Sequence, residues 1–442
     1  MSRTLLRVAI VGSGPSGAYV AQELTEQVGF DVVVDVYEKL PVPFGLVRYG
    51  VAPDHQRIKS IVGSLAEIFT HPRVRFLGNV HVGTDITLDE LREHYDVVVV
   101  ACGASADRRL SIPGEDLPGV CSATDFVAWY SGHPDTAVDR FALTAETAVV
   151  IGLGNVALDV ARMLCRTPDE LRHTDVPQHV IDVLAASTVR EIVILGRRGP
   201  AHAKFSNKEL GELSGLSDTN VLVDPDDLTD DQAGAEQHPL TRRMLATLRR
   251  YASNTATRTH RRTVRFAFSR TPVAFVGENS AGGLKVAHRG PEHAEAEELL
   301  PAQFFVRSVG YRGSAVPGLP FSQATGTIPH TEGRVVARTE QLAGVYVVGW
   351  IKRGPSGVIG TNKQDAAATV VRIAEDLARA AKPLRQAYED PVLLLRARRV
   401  AVVDWSAWQR IDAAEEMEGQ PLGRGRVKLH ERDRMLAAAS AQ

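Results

Sequence analysis

Twice in this chain a β-branched run ends in a glycine fingerprint and then turns helical. Gly12-Ser13-Gly14-Pro15-Ser16-Gly17 follows LRVAIV and precedes AYVAQELTEQ; Gly152-Leu153-Gly154-Asn155-Val156-Ala157 follows TAVVI and precedes LDVARMLCR. In a strand–turn–helix setting this pattern has a physical meaning. The first glycine makes the tight turn, the second lets a pyrophosphate approach the backbone, and the third (or alanine) lets helix pack on strand. The helix N-terminus then offers free N–H groups and positive potential to phosphates. A chain with two such turns is expected to build two parallel sheets, each with its own dinucleotide.

The next strand ends tell the two sites apart. Glu38 ends the strand after the first fingerprint, 21 residues past Gly17. A carboxylate there accepts hydrogen bonds from an adenosine ribose diol and repels a 2′-phosphate. In the second unit the strand EIVILGRRGP delivers Arg197 and Arg198 instead. Guanidinium groups there hold a 2′-phosphate by charge-assisted bidentate bonds. Ala157 to Arg197 is 40 residues, which requires an inserted segment, and TPDELRHTDVPQHVIDVLAAS reads as helical. The alternative for the arginine pair is solvated surface charge. The simplest assignment is FAD in the first site and NADP(H) in the second, in a flavoprotein that takes hydride from NADPH. The cofactors carry that chemistry and no protein nucleophile is required.

Runs at 6–12, 32–38, 74–80 and 96–103, then 147–154, 191–198, 264–269 and 302–313, read as strands buried on both faces. GVYVVGW (344–350) leads into a helix from about 363 to 381. The fold class is α/β: two doubly wound Rossmann-like units, the second inserted in the first. Turn-rich joints place an FAD-binding domain at 1–105 plus 325–442 and an NADP(H)-binding domain at 106–324. The charged tail after 423 reads as ending in a frayed helix. Net charge is −2, which gives no whole-chain field for nucleic acid. No run approaches the ~18 apolar residues of a membrane span. Three scattered cysteines, Cys102, Cys121 and Cys165, offer neither C-x-x-C nor metal-ligand spacing, and suit a reducing, cytoplasmic setting.

The motifs VAIVGSGPSG, LPVPFGLVRYGVAPDH, IPGEDLPG, VVIGLGNVALDVAR, LGRRGP, RSVGYRG and GWIKRGPSGVIGTNK together resemble the adrenodoxin reductase-like ferredoxin–NADP⁺ reductases, over nearly the whole chain. The resemblance implies that NADPH reduces FAD and that the flavin passes single electrons to a ferredoxin-type iron–sulfur protein. It implies that Gly12, Gly14, Pro15, Gly17, Glu38, Leu46 and Val82 bind FAD, joined by Trp350, Gly357, Val358 and Ile359. It places Arg108, with Arg109 as its competitor, at NADP(H), together with Gly152, Gly154, Asn155 and Val156 at the pyrophosphate, Arg197 and Arg198 at the 2′-phosphate, and Glu209 on the nicotinamide side. Trp350 stands where related flavoproteins often carry an acid, and its alternative is core packing. Helix N–H groups near Gly357 would stabilise negative charge on reduced flavin. His55 and Glu212 fall near the redox centre; each is either a proton-tuning group or scaffold.

Charge is uneven along the chain. Residues 224–236 carry six acids and no base, and 237–270 carry nine arginines and no acid. The basic segment could steer an acidic ferredoxin; the alternative is a helix neutralised by the acidic run. Two other functions compete. A flavin subunit of a larger complex, like the glutamate synthase small subunits, would need cysteine-rich iron–sulfur segments. A nucleotide-binding redox sensor would hold FAD that NADPH cannot bleach.

Overall fold

The computed structural model describes residues 5–26, 31–228, 238–253, 260–288, 297–379 and 389–441. The chain divides into two compact units, Met1–Ala106 with Tyr311–Gln442, and Asp107–Gly310. It therefore returns to the first unit at 310/311, earlier than the 324/325 junction read from the sequence. The turn-rich stretch 313–329 belongs to that first unit: Pro317 lies so close to Gly83 that a Cβ there would meet it at 2.8 Å, and Leu319 packs on its core.

The discontinuous unit is built on a seven-stranded sheet. Its centre is Leu5–Val11, paired in parallel with Asp31–Tyr37 on one side and Val97–Val100 on the other. Val74–Leu77 extends one edge in parallel. On the other, Glu340–Val347 joins in parallel, and an antiparallel meander of Arg334–Ala337 and His330–Thr331 closes it. The central parallel strands are mostly apolar because both faces are covered. Val8, Ile10, Val97 and Val99 enter a core with the helices Pro15–Glu26 and Ile359–Arg379. Ala9, Val11 and Val98 face Leu88, Leu91 and Tyr95 on the opposite side. The one acid inside the second strand, Asp35, is fully used: the Arg75 guanidinium donates to both its oxygens at 2.8 and 2.6 Å, and Tyr95 Oη donates at 2.5 Å.

The tail is not frayed. Trp405–Gly419 and Arg432–Ser440 form helices, and Ile411, Leu429, Met435 and Ala439 are buried in the same core as the phosphate-loop helix. The composition misled because the apolar residues there are few, yet these four are buried.

The inserted unit has a six-stranded, all-parallel sheet in the order Val120–Ser122, Phe304–Arg307, Thr147–Ile151, Glu191–Leu195, Arg262–Ala267, Thr219–Val223. The long gap between fingerprint and arginine pair holds two helices, Pro168–Leu171 and Gln178–Ala186, as the sequence required. A three-stranded antiparallel sheet, Arg270–Val276, Gly283–His288 and Glu297–Pro301, was not foreseen. Its strands are only partly buried, so they lack the apolar signature that marked the others.

Candidate nucleotide-binding sites

In the first fingerprint each glycine has a separate duty. Gly12 sits at φ +112°, and a Cβ there would lie 2.6 Å from Ala101 O. A Cβ on Gly17 would lie 2.0 Å from Gly12 O, so only glycine lets the helix Pro15–Glu26 start this close to the strand. Gly14 is different: its Cβ would meet only Gly45 Cα, at 4.0 Å. That is open room at a helix N-terminus, which fits a pyrophosphate.

Glu38 stands at the strand exit, and its carboxylate is already oriented. Its Oε2 accepts from Ser13 Oγ at 2.6 Å and Ser13 N at 3.1 Å, and its Oε1 accepts from Leu40 N at 3.1 Å. A carboxylate offers about four lone-pair sites. One of the three donors to Glu38, the Ser13 hydroxyl, is rotatable. Ser13 was not singled out from the sequence, since the fingerprint leaves its second position unspecified. Cys102 lies beside Gly12. It is open to solvent, yet the surrounding protein pushes its thiol up to about 12. It therefore stays a thiol at neutral pH.

The segment from Gly349 to Asp365 belongs to the same unit. A Cβ on Gly349 (φ +78°) would strike Ser16 Oγ at 2.2 Å. Ser16 Oγ donates to Asn362 Oδ1 at 3.0 Å, and Arg353 donates to the same oxygen at 2.8 Å. Asp365 accepts from Gly349 N at 2.7 Å, Lys352 Nζ at 2.6 Å and Arg353 Nη1 at 2.8 Å. These residues tie the start of the helix Ile359–Arg379 to the fingerprint helix. The reading from sequence missed them: Asp365 stands sixteen residues past Gly349 and reaches its N–H from the helix Ile359–Arg379. Trp350 is half-buried; its Nε1 donates to Ser356 O at 3.1 Å and its ring lies 5.7 Å from that of Tyr311. That bond pins the turn holding Gly357 (φ +82°). Val358 is exposed at the helix start, and Ile359 packs inward. Leu46 is half-buried at the head of the turn Leu46–Tyr49, whereas Val82 is buried in a short bridge to Ile86.

The second fingerprint repeats the geometry in the inserted unit. Gly152 has φ +144°, and its Cβ would meet Ser308 O at 2.1 Å. Gly154 caps the helix Asn155–Cys165, and a Cβ there would meet nothing within 4 Å. Ala157 is fully buried, and Val156 packs partly on the core. Asn155 Oδ1 accepts from Ser206 N at 2.7 Å, while Lys204 N donates to Leu153 O at 2.7 Å. The stretch 204–206 therefore lies against the fingerprint and starts the helix Asn207–Glu212, capped by Ser206. Glu209 is buried there, and its Oε2 accepts no hydrogen bond among the described residues. A buried carboxylate oxygen without a donor is costly, which suits a site completed by a hydroxyl or amide of a ligand.

Arg197 and Arg198 follow Gly196 at the exit of the strand Glu191–Leu195, and both are exposed. Among the described residues neither forms an ion pair. Of the two candidates at the joint, Arg109 is held by Asp116 at 2.6 Å and Glu115 at 3.5 Å, whereas exposed Arg108 has no ion pair among the described residues.

His55 and Glu212 belong to different units. His55 is buried at the head of the short helix Gln56–Lys59. Glu212 lies 3.7 Å from both Arg162 and Lys208, and the fully buried Arg162 also pairs with Asp159 at 2.8 Å. That engagement gives Glu212 a part in fixing the fingerprint helix.

The basic segment 237–270 is smaller than it looked. Residues 229–237 and 254–259 lie outside the described residues. Arg262 is buried under the sheet and donates to Cys165 O at 3.1 Å. Arg261, Arg265 and Arg270 pair with Asp218, Glu191 and Asp227. What remains is the helix Pro239–Ala252. It buries Met244, Leu245, Leu248 and Tyr251 and exposes Arg242, Arg243, Arg249 and Arg250 on the opposite face. No helix among the described residues is long and apolar enough to cross a membrane, and no group of three potential metal ligands occurs among them.

The family model described as pyridine nucleotide-disulphide oxidoreductase matches residues 6–193. The chain is 45% identical to the "NADPH-ferredoxin reductase FprA" of Mycobacterium tuberculosis, over 96% of each protein. It is 37% identical to the mitochondrial "NADPH:adrenodoxin oxidoreductase" of Arabidopsis thaliana, over 98% of this chain and 95% of that one. Among solved structures, "Mycobacterium tuberculosis FprA in complex with NADPH" superposes with a TM-score of 0.91 at 42% identity, over 99% of this chain and all of the other.

Proposed function

The chain belongs to the NADPH-ferredoxin reductase family, which includes the adrenodoxin oxidoreductases, and from that premise we propose which residues carry each step. The protein binds FAD and NADP(H) and moves electrons from NADPH to a ferredoxin-type iron–sulfur protein. Flavin supplies the chemistry that joins a two-electron donor to a one-electron acceptor. The observation that carries the residue assignment is the contrast between two otherwise alike cradles: one ends in an oriented carboxylate, Glu38, the other in two guanidinium groups, Arg197 and Arg198, that form no ion pair among the described residues.

The first cradle takes FAD. Gly12, Gly14, Pro15 and Gly17 shape the pyrophosphate turn, Glu38 takes the ribose, and Leu46 and Val82 lie along the cofactor. Trp350, Gly357, Val358 and Ile359 close the flavin end, where the helix start offers N–H groups to the reduced ring. The second takes NADP(H), with Gly152, Gly154, Asn155 and Val156 at the pyrophosphate, Arg108, Arg197 and Arg198 at phosphate, and Glu209 accepting from the nicotinamide end. His55 tunes proton balance; Glu212 acts beside Arg162. The domains follow: FAD with the discontinuous unit, NADP(H) with the inserted one. A cytoplasmic setting is part of this reading, supported by free Cys102, Cys121 and Cys165.

The test is anaerobic stopped-flow mixing with NADPH or NADH at equal concentration. Fast bleaching of the flavin band by NADPH and slow bleaching by NADH is the expected result; equal rates would overturn the arginine assignment. In the same instrument, His55→Gln is expected to change the pH profile of flavin reduction by NADPH. An unchanged profile would leave His55 as scaffold.

The ferredoxin docks on the exposed arginine face of the helix Pro239–Ala252. Its four guanidinium groups form two columns, Arg242 with Arg249 and Arg243 with Arg250, each spaced two turns apart. Reversing Arg249 and Arg250 to glutamate should slow ferredoxin reduction by about 10-fold or more at low salt and remove its salt dependence. Flavin reduction by NADPH should not change. Ferredoxin reduction that is insensitive to both salt and reversal would place the docking face elsewhere.

A further inference from the structure

The segment LPVPFGLVRYG contains a strained turn. Phe44 has φ +81° although it is not glycine, and Gly45 has φ +50°. Phe44 N donates to Ser13 O at 3.3 Å, and a Cβ on Gly45 would come within 3.2 Å of Gly14 Cα. The turn therefore forms one wall of the first phosphate cradle. Strain of this kind persists only where the surroundings over-determine it.

The surroundings come from the far end of the chain. Phe44 packs edge-on against Trp405 and Trp408, with centroids 6.3 and 6.0 Å apart. Arg48, four residues on, is buried and pairs with Glu415, which is completely buried. The Arg48 guanidinium also lies 5.2 Å from the ring centres of Trp408 and Tyr49. Glu415 Oε1 accepts Leu429 N at 3.0 Å, which fixes the carboxylate to the extended segment before the last helix as well as to the helix that bears it. Lys428 is buried and donates to Arg48 O at 3.1 Å, with its ammonium 5.6 Å from the Tyr49 ring centre.

Buried ion pairs are a poor means of adding stability, because desolvation offsets the attraction and a well-packed apolar pair does as well. What they do supply is a defined position. We propose that Glu415 and Lys428 are positioning residues of the flavin site, holding the Phe44–Tyr49 turn against the first fingerprint. Glu415 acts through Arg48, and Lys428 through Arg48 O and the Tyr49 ring. The proposal rests on the assignment of FAD to the first cradle.

The test uses the full-length holoprotein with Glu415→Gln and, separately, Lys428→Met. FAD release is followed by recovery of free-flavin fluorescence on dilution, bound flavin by visible circular dichroism, and NADP⁺ binding to the same samples by calorimetry. The expected result is an FAD Kd raised about tenfold, equivalent to about 1.4 kcal/mol, with an altered flavin dichroism and unchanged NADP⁺ affinity. Unchanged FAD release and dichroism in both variants would overturn the proposal, as would a loss of FAD and NADP⁺ affinity in equal measure. If Glu415→Gln does not fold, Lys428→Met, which removes a buried charge at nearly constant shape, decides by the same readings. Wild-type protein that fails to retain FAD would instead overturn the cofactor assignment on which this rests.

Discussion

Replacing Arg197 and Arg198 together by leucine is expected to raise the KM for NADPH by about 10²- to 10⁴-fold, since each hydrogen bond to a charged group contributes about 1.5–3 kcal/mol. Turnover with NADH should change little, because that nucleotide lacks the phosphate the arginines hold. The two side chains are exposed at the strand exit and pair with no described residue, so their removal leaves no buried partner behind and should not lower stability. Steady-state kinetics with both nucleotides on one preparation measures the effect. Equal losses with NADPH and NADH would mean that the pair serves the fold or the pyrophosphate, and the 2′-phosphate would have to be sought at Arg108.

Gly154→Ala and Gly17→Ala should separate the two duties that a glycine fingerprint combines. At Gly154 a methyl group meets nothing within 4 Å, and the backbone (φ −111°, ψ 172°) suits any residue. The variant should melt as the wild type does and keep its FAD, yet lose NADPH affinity by about 10- to 100-fold because the methyl occupies the place of the pyrophosphate. At Gly17 the methyl would sit 2.0 Å from Gly12 O. Overpacking against backbone costs about 1–3 kcal/mol, occasionally more, so this variant should lower Tm and lose FAD together. Thermal unfolding and flavin content of the two proteins make the comparison. A Gly154→Ala protein with wild-type NADPH affinity would show that the open space beside that residue is not where the phosphates lie.

Much of this protein was legible in its sequence, and for identifiable reasons. The two fingerprints work through backbone, so their meaning depends on spacing alone, and both cradles formed where the glycines placed them. Parallel strands buried on both faces must be continuously apolar, which made Leu5–Val11, Asp31–Tyr37 and Thr147–Ile151 visible. The charge at each strand exit followed from one residue type in a fixed place. The arginine-rich segment 237–270 was less legible, because sequence counts charges without their partners: Arg261, Arg262, Arg265 and Arg270 turned inward or found acids.

What only the tertiary structure decided lies in side chains brought together across long separations. Nothing in the run of acids within WSAWQRIDAAEEMEG sets Glu415 apart; it is singled out by Arg48, 367 residues away. Asp365 holds Gly349 N, sixteen residues back, because the helix Ile359–Arg379 carries it there. Glu209 acquires its unsatisfied oxygen, and Arg108 its freedom relative to Arg109, from neighbours that no local pattern specifies. The sequence by itself determined which nucleotides could be held, since backbone turns and strand-end charges are local. The packing of distant segments decided how firmly the turns that hold them are fixed, since burial and pairing exist only in the folded chain.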